Sequence, residues 1–111
     1  MNKFLVMYRS SASAREQMAN ATPEQAKAGM EAWMTWAGKA GDAIVDLGAP
    51  LAPAAHVGSG SGGTDVEQLS GFSILQSDSV DSLKALLDEH PHLGMPGSSI
   101  EVLEYLPIPG T

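Results

Sequence analysis

The chain contains no cysteine. That removes disulfides, thiolate nucleophiles and thiolate metal sites, and it is compatible with a reducing compartment. Any metal would have to be held by histidine and carboxylate alone. Basic residues are also scarce, with 6 Lys and Arg against 13 Asp and Glu and a formal net charge of −7. The few cations are too dispersed to build a phosphate-binding face, so nucleic acid is not an expected partner. Long apolar runs are missing as well. The run from Phe4 to Tyr8 is followed at once by Arg9, which is too short for the apolar region of a signal peptide. Nothing approaches the roughly 20 apolar residues that span a bilayer. The expectation is a soluble, cytoplasmic chain with no membrane partner, forming one domain over residues 1–111.

What is present gives an order of elements. Lys3 to Tyr8 reads as a strand whose two alternating sets, Phe4/Val6/Tyr8 and Leu5/Met7, are both apolar, as in a strand covered on both faces. Ser10 to Ala21 is polar and reads as a loop, with some helical content left open. Thr22-Pro23-Glu24-Gln25 then offers a hydroxyl N-cap, proline in the first turn and a glutamine three residues after the cap, a capping-box pattern. Ala26, Met30, Trp33, Met34, Ala37, Gly41, Ile44 and Leu47 follow helical spacing, so the helix is expected to run to Gly48 before Pro50. Gly38 and Gly41 inside it suggest a kink or a close backbone approach.

Leu51 to Val57 reads as a weak second strand and Gln68 to Leu75 as a stronger third. Between them residues 58–67 form a Gly/Ser-rich hairpin loop. Ser77-Asp78-Ser79 caps a second helix bearing Val80, Leu83, Leu86 and Leu87 and ended by Pro91, and Ser99 to Leu106 is the last strand. The order β-α-β-β-α-β is that of the α+β, ferredoxin-like fold with a four-stranded antiparallel sheet. Two helices cover one face of such a sheet, yet the first strand is apolar on both. The economical cover for the other face is a second copy, giving a homodimeric α/β barrel.

Several residues are candidates for chemistry. His90 and His92 flank Pro91 at a helix C-terminus, where the dipole favours a protonated imidazole by up to about 1 kcal/mol. Either could exchange protons near neutral pH; the alternative is a solvated helix-end His90 and a packed loop His92. Asp42 and Asp46 fall one turn apart on the long helix and could hold a donor and an acceptor, or form a solvated face. Glu101 and Glu104 point to opposite faces of the last strand, so only one can line a given cavity. Trp33 and Trp36 could wall a pocket for a flat ligand with an indole N–H as anchor, or belong to the core. Tyr8 and Ser10, at the end of the first strand, could donate hydrogen bonds to a ligand. Gly58, Gly60 and Gly63 match a dinucleotide-binding spacing, but a strand follows where a helix is required. His90-x-His92 lacks a third fixed ligand, so no metal is expected.

The segments Phe4-Leu-Val-Met-Tyr8, Trp33-Met-Thr-Trp36, Val45-Asp-Leu-Gly-Ala-Pro-Leu51, Gly71-Phe-Ser-Ile74, Ser77-Asp-Ser79, His90-Pro-His-Leu93 and Ile100-Glu-Val102 carry a family likeness in their order and spacing. On them the chain resembles the YCII-related family, including its DGPF-type branch, of the dimeric α+β barrel superfamily. The resemblance implies a ferredoxin-like protomer, a homodimer and a cleft for small molecules; most members have no assigned reaction. The tetrapeptide that names the DGPF branch is missing, its place taken by the Gly/Ser loop and Thr64-Asp-Val-Glu-Gln68. The histidine of the family's proposed His/Asp pair would fall near Ala32 or Trp33, and neither moves a proton.

The leading expectation is therefore small-molecule binding in a helix/sheet cleft, extending to cofactor-independent proton-transfer chemistry of lyase or isomerase type. There His92 would shuttle the proton, Asp46 or Glu101 would orient it or act as partner base, and Tyr8, Ser10, Trp33, Trp36 and His90 would contact the ligand. A non-catalytic ligand-binding or regulatory homodimer is the alternative, and a cofactor-free monooxygenase-like enzyme on aromatic substrates a further one.

Overall fold

The computed structural model describes residues 1–60, 69–95 and 97–109. Four strands, β1 (Asn2–Arg9), β2 (Ile44–Pro50), β3 (Leu69–Ser77) and β4 (Ser99–Glu104), form one sheet in the order β2-β3-β1-β4. Every neighbouring pair is antiparallel. Three helices, α1 (Ala14–Asn20), α2 (Pro23–Ala40) and α3 (Val80–Leu87), connect them, with a short 3₁₀ turn over Pro91–Gly94 leading toward β4. Among the described residues no helix is long and apolar enough to cross a membrane.

The alternation of β1 sorts the molecule into two faces. Phe4, Val6 and Tyr8 are buried and pack with Leu75, Trp36, Leu83 and Leu87 into one core between the sheet and the helices. Each large apolar side chain removed from water there contributes about 1.5–3 kcal/mol before chain entropy is counted. Leu5 and Met7 point the other way. Leu5 lies opposite Ile74 and Leu103, and Met7 opposite Phe72 and Glu101. Among the described residues no helix covers that face, and Leu103 is half exposed there.

The cap of α2 forms as its sequence dictates. Thr22 Oγ1 accepts from the Gln25 N–H at 3.1 Å, and Gln25 Oε1 accepts from the Thr22 N–H at 3.0 Å. Its end is not where helical spacing puts it. Gly41, at φ +54°, closes the helix after Ala40 with its N–H on the Ala37 carbonyl; a 3₁₀ turn spans Gly41–Ala43 and β2 begins at Ile44. Ile44 and Leu47 thus belong to a strand, and their agreement with the helical period is the usual ambiguity of short apolar runs. The expected strand at Leu51–Val57 is correspondingly absent. That segment has no regular structure, and among the described residues its Leu51 N–H continues the ladder to the Ser70 carbonyl. The expected loop before α2 holds α1, capped by Ser13, whose side chain accepts from the Glu16 N–H. The last strand stops at Glu104 rather than Leu106. Most of the Gly/Ser-rich hairpin, from 61 onward, lies outside the described residues.

Gly48 is the tightest point of the sheet. Its φ is +85°, and a Cβ built on it would lie 1.7 Å from the Phe72 carbonyl oxygen. Gly38, on the exposed side of α2, meets nothing within 4 Å. Gly48→Ala should lower unfolding stability by about 2 kcal/mol or more. Gly38→Ala should raise it by about 0.5–1 kcal/mol. Urea denaturation of both variants checks the pair.

A mainly apolar cleft backed by two buried histidines

One end of the sheet opens into a cleft of about 940 Å³, walled by α1, the first half of α2, the β2–β3 edge and the 3₁₀ turn. This is at the upper end of the range for small-molecule sites. Met18, Met30, Trp33, Leu47, Pro50 and Met95 supply apolar surface, and Tyr8, Gln17, Ser70 and His92 supply inner polar groups. No Asp, Glu, Lys or Arg is among the lining residues.

The His90-Pro91-His92 segment is built into the fold. Pro91 starts the 3₁₀ turn, and His90 caps it, its Nδ1 accepting from the His92 N–H at 3.0 Å. A ring nitrogen that accepts from a backbone amide carries no proton, so neutral His90 holds its proton on Nε2. Nε2 is buried and has no hydrogen-bond partner among the described residues. Aromatic rings stand around the imidazole, their centroids 4.3 Å from its own for Trp36, 4.4 Å for Trp33 and 4.8 Å for Tyr8.

His92 is only 5% exposed. Its Nε2 lies 2.7 Å from the Arg9 carbonyl oxygen and 3.2 Å from that of Ser99. Carbonyl oxygens only accept, so Nε2 must be the protonated nitrogen. In the neutral ring Nδ1 is then the atom with a free lone pair, and no described residue hydrogen-bonds it.

Burial pushes His90 down from 6.5 to about 4, with the neighbouring His92 charge acting in the same direction. The expected helix-end preference for a protonated imidazole is therefore reversed at His90. It lies beyond the end of α3 at Leu87 and is 3% exposed, so desolvation outweighs a dipole effect of at most about 1 kcal/mol. Burial also pushes the Tyr8 phenol up to about 12, partly offset by its contact with Ser73. Tyr8 stays neutral and acts as a donor, giving its proton to Ser73 Oγ at 2.8 Å, while Ser73 Oγ donates to the Leu47 carbonyl at 2.6 Å. Three strands are tied together beneath the cleft by this chain of bonds.

The other candidates fall in different places. Trp33 lines the cleft with Tyr8 edge-on to it, the ring centroids 5.0 Å apart. Trp36 is core, 3% exposed, its indole N–H donating to the Leu86 carbonyl at 3.1 Å. Ser10 is buried and accepts from Gln17 Nε2 at 2.7 Å, which anchors α1 rather than a ligand. Asp42 and Asp46 do not share a helix: Asp42 is in the 3₁₀ turn after α2 and Asp46 is on β2. Asp46 stands opposite Ile74 and Glu101 opposite Met7, and both partners face away from the helices. Asp46 Oδ1 accepts from the Gly48 N–H at 2.8 Å, and Glu101 pairs with Arg9 at 2.8 Å. Hence the structure does not bring His92, Asp46 and Glu101 together. Among the described residues no cluster of three or more His, Asp and Glu is placed to hold a metal.

Gln17 and Ser73 escaped the sequence reading. The Ser13-x-x-Glu16 spacing is a capping signature that announces α1 and so places Gln17. Ser73 follows from the period-2 set Gly71, Ser73, Leu75, although its bonds depend on a strand register that alternation does not reveal.

No family model matches the chain, and no curated protein matches it. Among solved structures it is similar to 5-chloro-2-hydroxyhydroquinone dehydrochlorinase (TftG) from Burkholderia phenoliruptrix AC1100, in complex with 2,5-dihydroxybenzoquinone. The match covers 89% of this chain and 90% of that one at 18% identity, with a TM-score of 0.49. At that level it assigns no activity, ligand or assembly to this chain.

A histidine held below its ordinary value takes up a proton more readily unfolded than folded. The stability contributed by neutral His90 is therefore complete above pH 6.5 and is lost as pH falls toward about 4. The expected loss is about 2–3 kcal/mol across that window. His90→Asn keeps an acceptor for the His92 N–H and should be less stable at pH 7 yet flatter in that window. Chemical denaturation at stepped pH measures the difference.

Proposed function

We propose that this chain binds a flat, mainly apolar small molecule in the cleft between α1, α2 and the sheet edge, with His92 as the group that exchanges a proton with it. The observation that carries this reading is the pinned His92 ring. Its Nε2–H is held by the Arg9 and Ser99 carbonyls, so Nδ1 is the nitrogen left for a ligand in a lining that is otherwise mostly apolar. A base held in one tautomer against a mainly apolar wall is suited to proton transfer of the lyase or isomerase type without a cofactor. Asp46 and Glu101 are left out of that proposal because their faces point away from the cleft. With one imidazole and no second acid or base among the lining residues, ligand binding without turnover is the second reading, and the separation of the carboxylates favours it.

We further propose that the working unit is a homodimer, with a ferredoxin-like protomer of the YCII-related kind packing its uncovered sheet face on that of a second copy. The strand order β2-β3-β1-β4, all antiparallel, is the ferredoxin-like order. The central part of the uncovered face is apolar, with Leu5 between Ile74 and Leu103 and Met7 beside Phe72. A twofold axis through that patch sets apolar side chains against their own copies.

Two measurements test these readings. In amide NMR titrations with a panel of flat small molecules, at least one should shift cleft residues such as Gly29, Gly48 and Gly71 in wild type. His92→Gln keeps an amide donor for the Arg9 and Ser99 carbonyls but cannot accept a proton, and it should weaken that ligand about tenfold or more. Unchanged affinity would remove His92 from the site. By sedimentation the chain should run at twice its 11.5 kDa mass, and Leu5→Lys should return it to a monomer. A monomeric wild type would rule out the sheet-to-sheet dimer.

A further inference from the structure

The hydrogen bonds of the cleft wall leave a one-sided set of polar atoms. Tyr8 spends its hydroxyl proton on Ser73, and Ser70 Oγ donates to the Tyr8 carbonyl at 3.1 Å. Gln17 Nε2 donates both to Ser10 Oγ at 2.7 Å and to the Ala12 carbonyl at 2.8 Å. Because that carbonyl only accepts, the orientation of the Gln17 amide is fixed, and Oε1 is its remaining polar atom. His92 spends Nε2–H on two carbonyls, which leaves Nδ1. The inner side chains thus keep only acceptors apart from the indole: Gln17 Oε1, His92 Nδ1 and the lone pairs of the Tyr8 and Ser70 hydroxyl oxygens. Against them stands one donor, the Trp33 indole N–H, which has no partner among the described residues. Asn20 and Gln25 are exposed and stand at the rim in water. Arg15 lines an adjoining shallow groove with Pro50, Leu51 and Ala52 instead.

Resting on the reading of this cleft as a ligand site, we infer that its ligand is a neutral, planar molecule carrying hydroxyl or N–H donors, and that carboxylates and phosphates are rejected. A hydroxyl satisfies any of these acceptors with its proton and can accept from the indole with its oxygen. A carboxylate offers only lone pairs. It would set them against Gln17 Oε1 and His92 Nδ1, with no ammonium or guanidinium in the lining to offset desolvation, and it would approach a chain of net charge −7. An apolar molecule of the same shape would fill the cleft but bury Gln17 Oε1 and His92 Nδ1 unpaired.

The test is a comparison of resorcinol, meta-xylene and benzoate on the wild-type protein, by NMR titration of the same cleft amides. Meta-xylene carries methyl groups where resorcinol carries hydroxyls, and benzoate supplies the anion. Resorcinol should bind at least about tenfold tighter than either. Equal binding of meta-xylene, or tighter binding of benzoate, overturns the ligand class while leaving the cleft a binding site. The same holds if all three fail and the members of the wider panel that shift the cleft residues are anions or lack hydroxyl and N–H donors; a neutral donor-bearing hit supports the class. A panel in which nothing shifts them sinks the ligand class and the binding reading together.

Discussion

The cleft depends on one three-centre hydrogen bond, the His92 Nε2–H held between the carbonyl oxygens of Arg9 and Ser99. Arg9 ends β1 and Ser99 begins β4, so this bond fastens the 3₁₀ turn to the place where two strands meet. The turn in turn supplies Pro91 and His92 to the cleft wall. Because carbonyls cannot donate, the bond also decides the tautomer, and the tautomer decides which nitrogen a ligand would meet. Geometry and chemistry at this site are thus set by the same two backbone atoms.

Behind His92, the fold accepts a cost that it must offset. His90 is buried with Nε2 lacking a hydrogen-bond partner among the described residues, a state worth about 1–3 kcal/mol against folding when nothing replaces the lost water. Trp33, Trp36 and Tyr8 pack around the ring, and their van der Waals contacts offset part of that cost. The gain is positional, since His90 Nδ1 holds the His92 N–H and caps the turn. Trp33 serves both layers, packing on His90 and lining the cleft. Trp36 serves only the inner one and ties α2 to α3 through Leu86. The two sides of the sheet therefore divide the work: the helix side carries the cleft and its histidines, and the uncovered side carries Leu5, Met7, Asp46 and Glu101.

Strands with strong alternation and helices with polar caps were legible in the sequence: β1, β3, the start of α2 and α3 fall within a residue or two of their expected positions. The end of α2 was not, because Ile44 and Leu47 continue the helical spacing of Trp33 and Ala37 past a glycine that breaks the helix by taking a positive φ. That single misplacement moved the second strand to Leu51–Val57 and set Asp46 beside Asp42 on a helix that does not reach them. The candidate site was legible by residue type and not by face. Tyr8, Trp33 and His92 do line one cleft. Asp46 and Glu101 are separated from it by the sheet, which only cross-strand register reveals. Burial reversed the expectation for His90, since a two-residue spacing around proline says nothing about how much of either ring meets water.

The most direct test is long-range proton–nitrogen NMR of the imidazole rings in the free protein at pH 7. The predicted result is an Nε2–H tautomer for both His90 and His92, with unprotonated Nδ1 in each. A neutral Nδ1–H tautomer for His92, with Nε2 unprotonated, would contradict the bond to Arg9 and Ser99, and with it the free Nδ1 on which the proposed ligand contact rests.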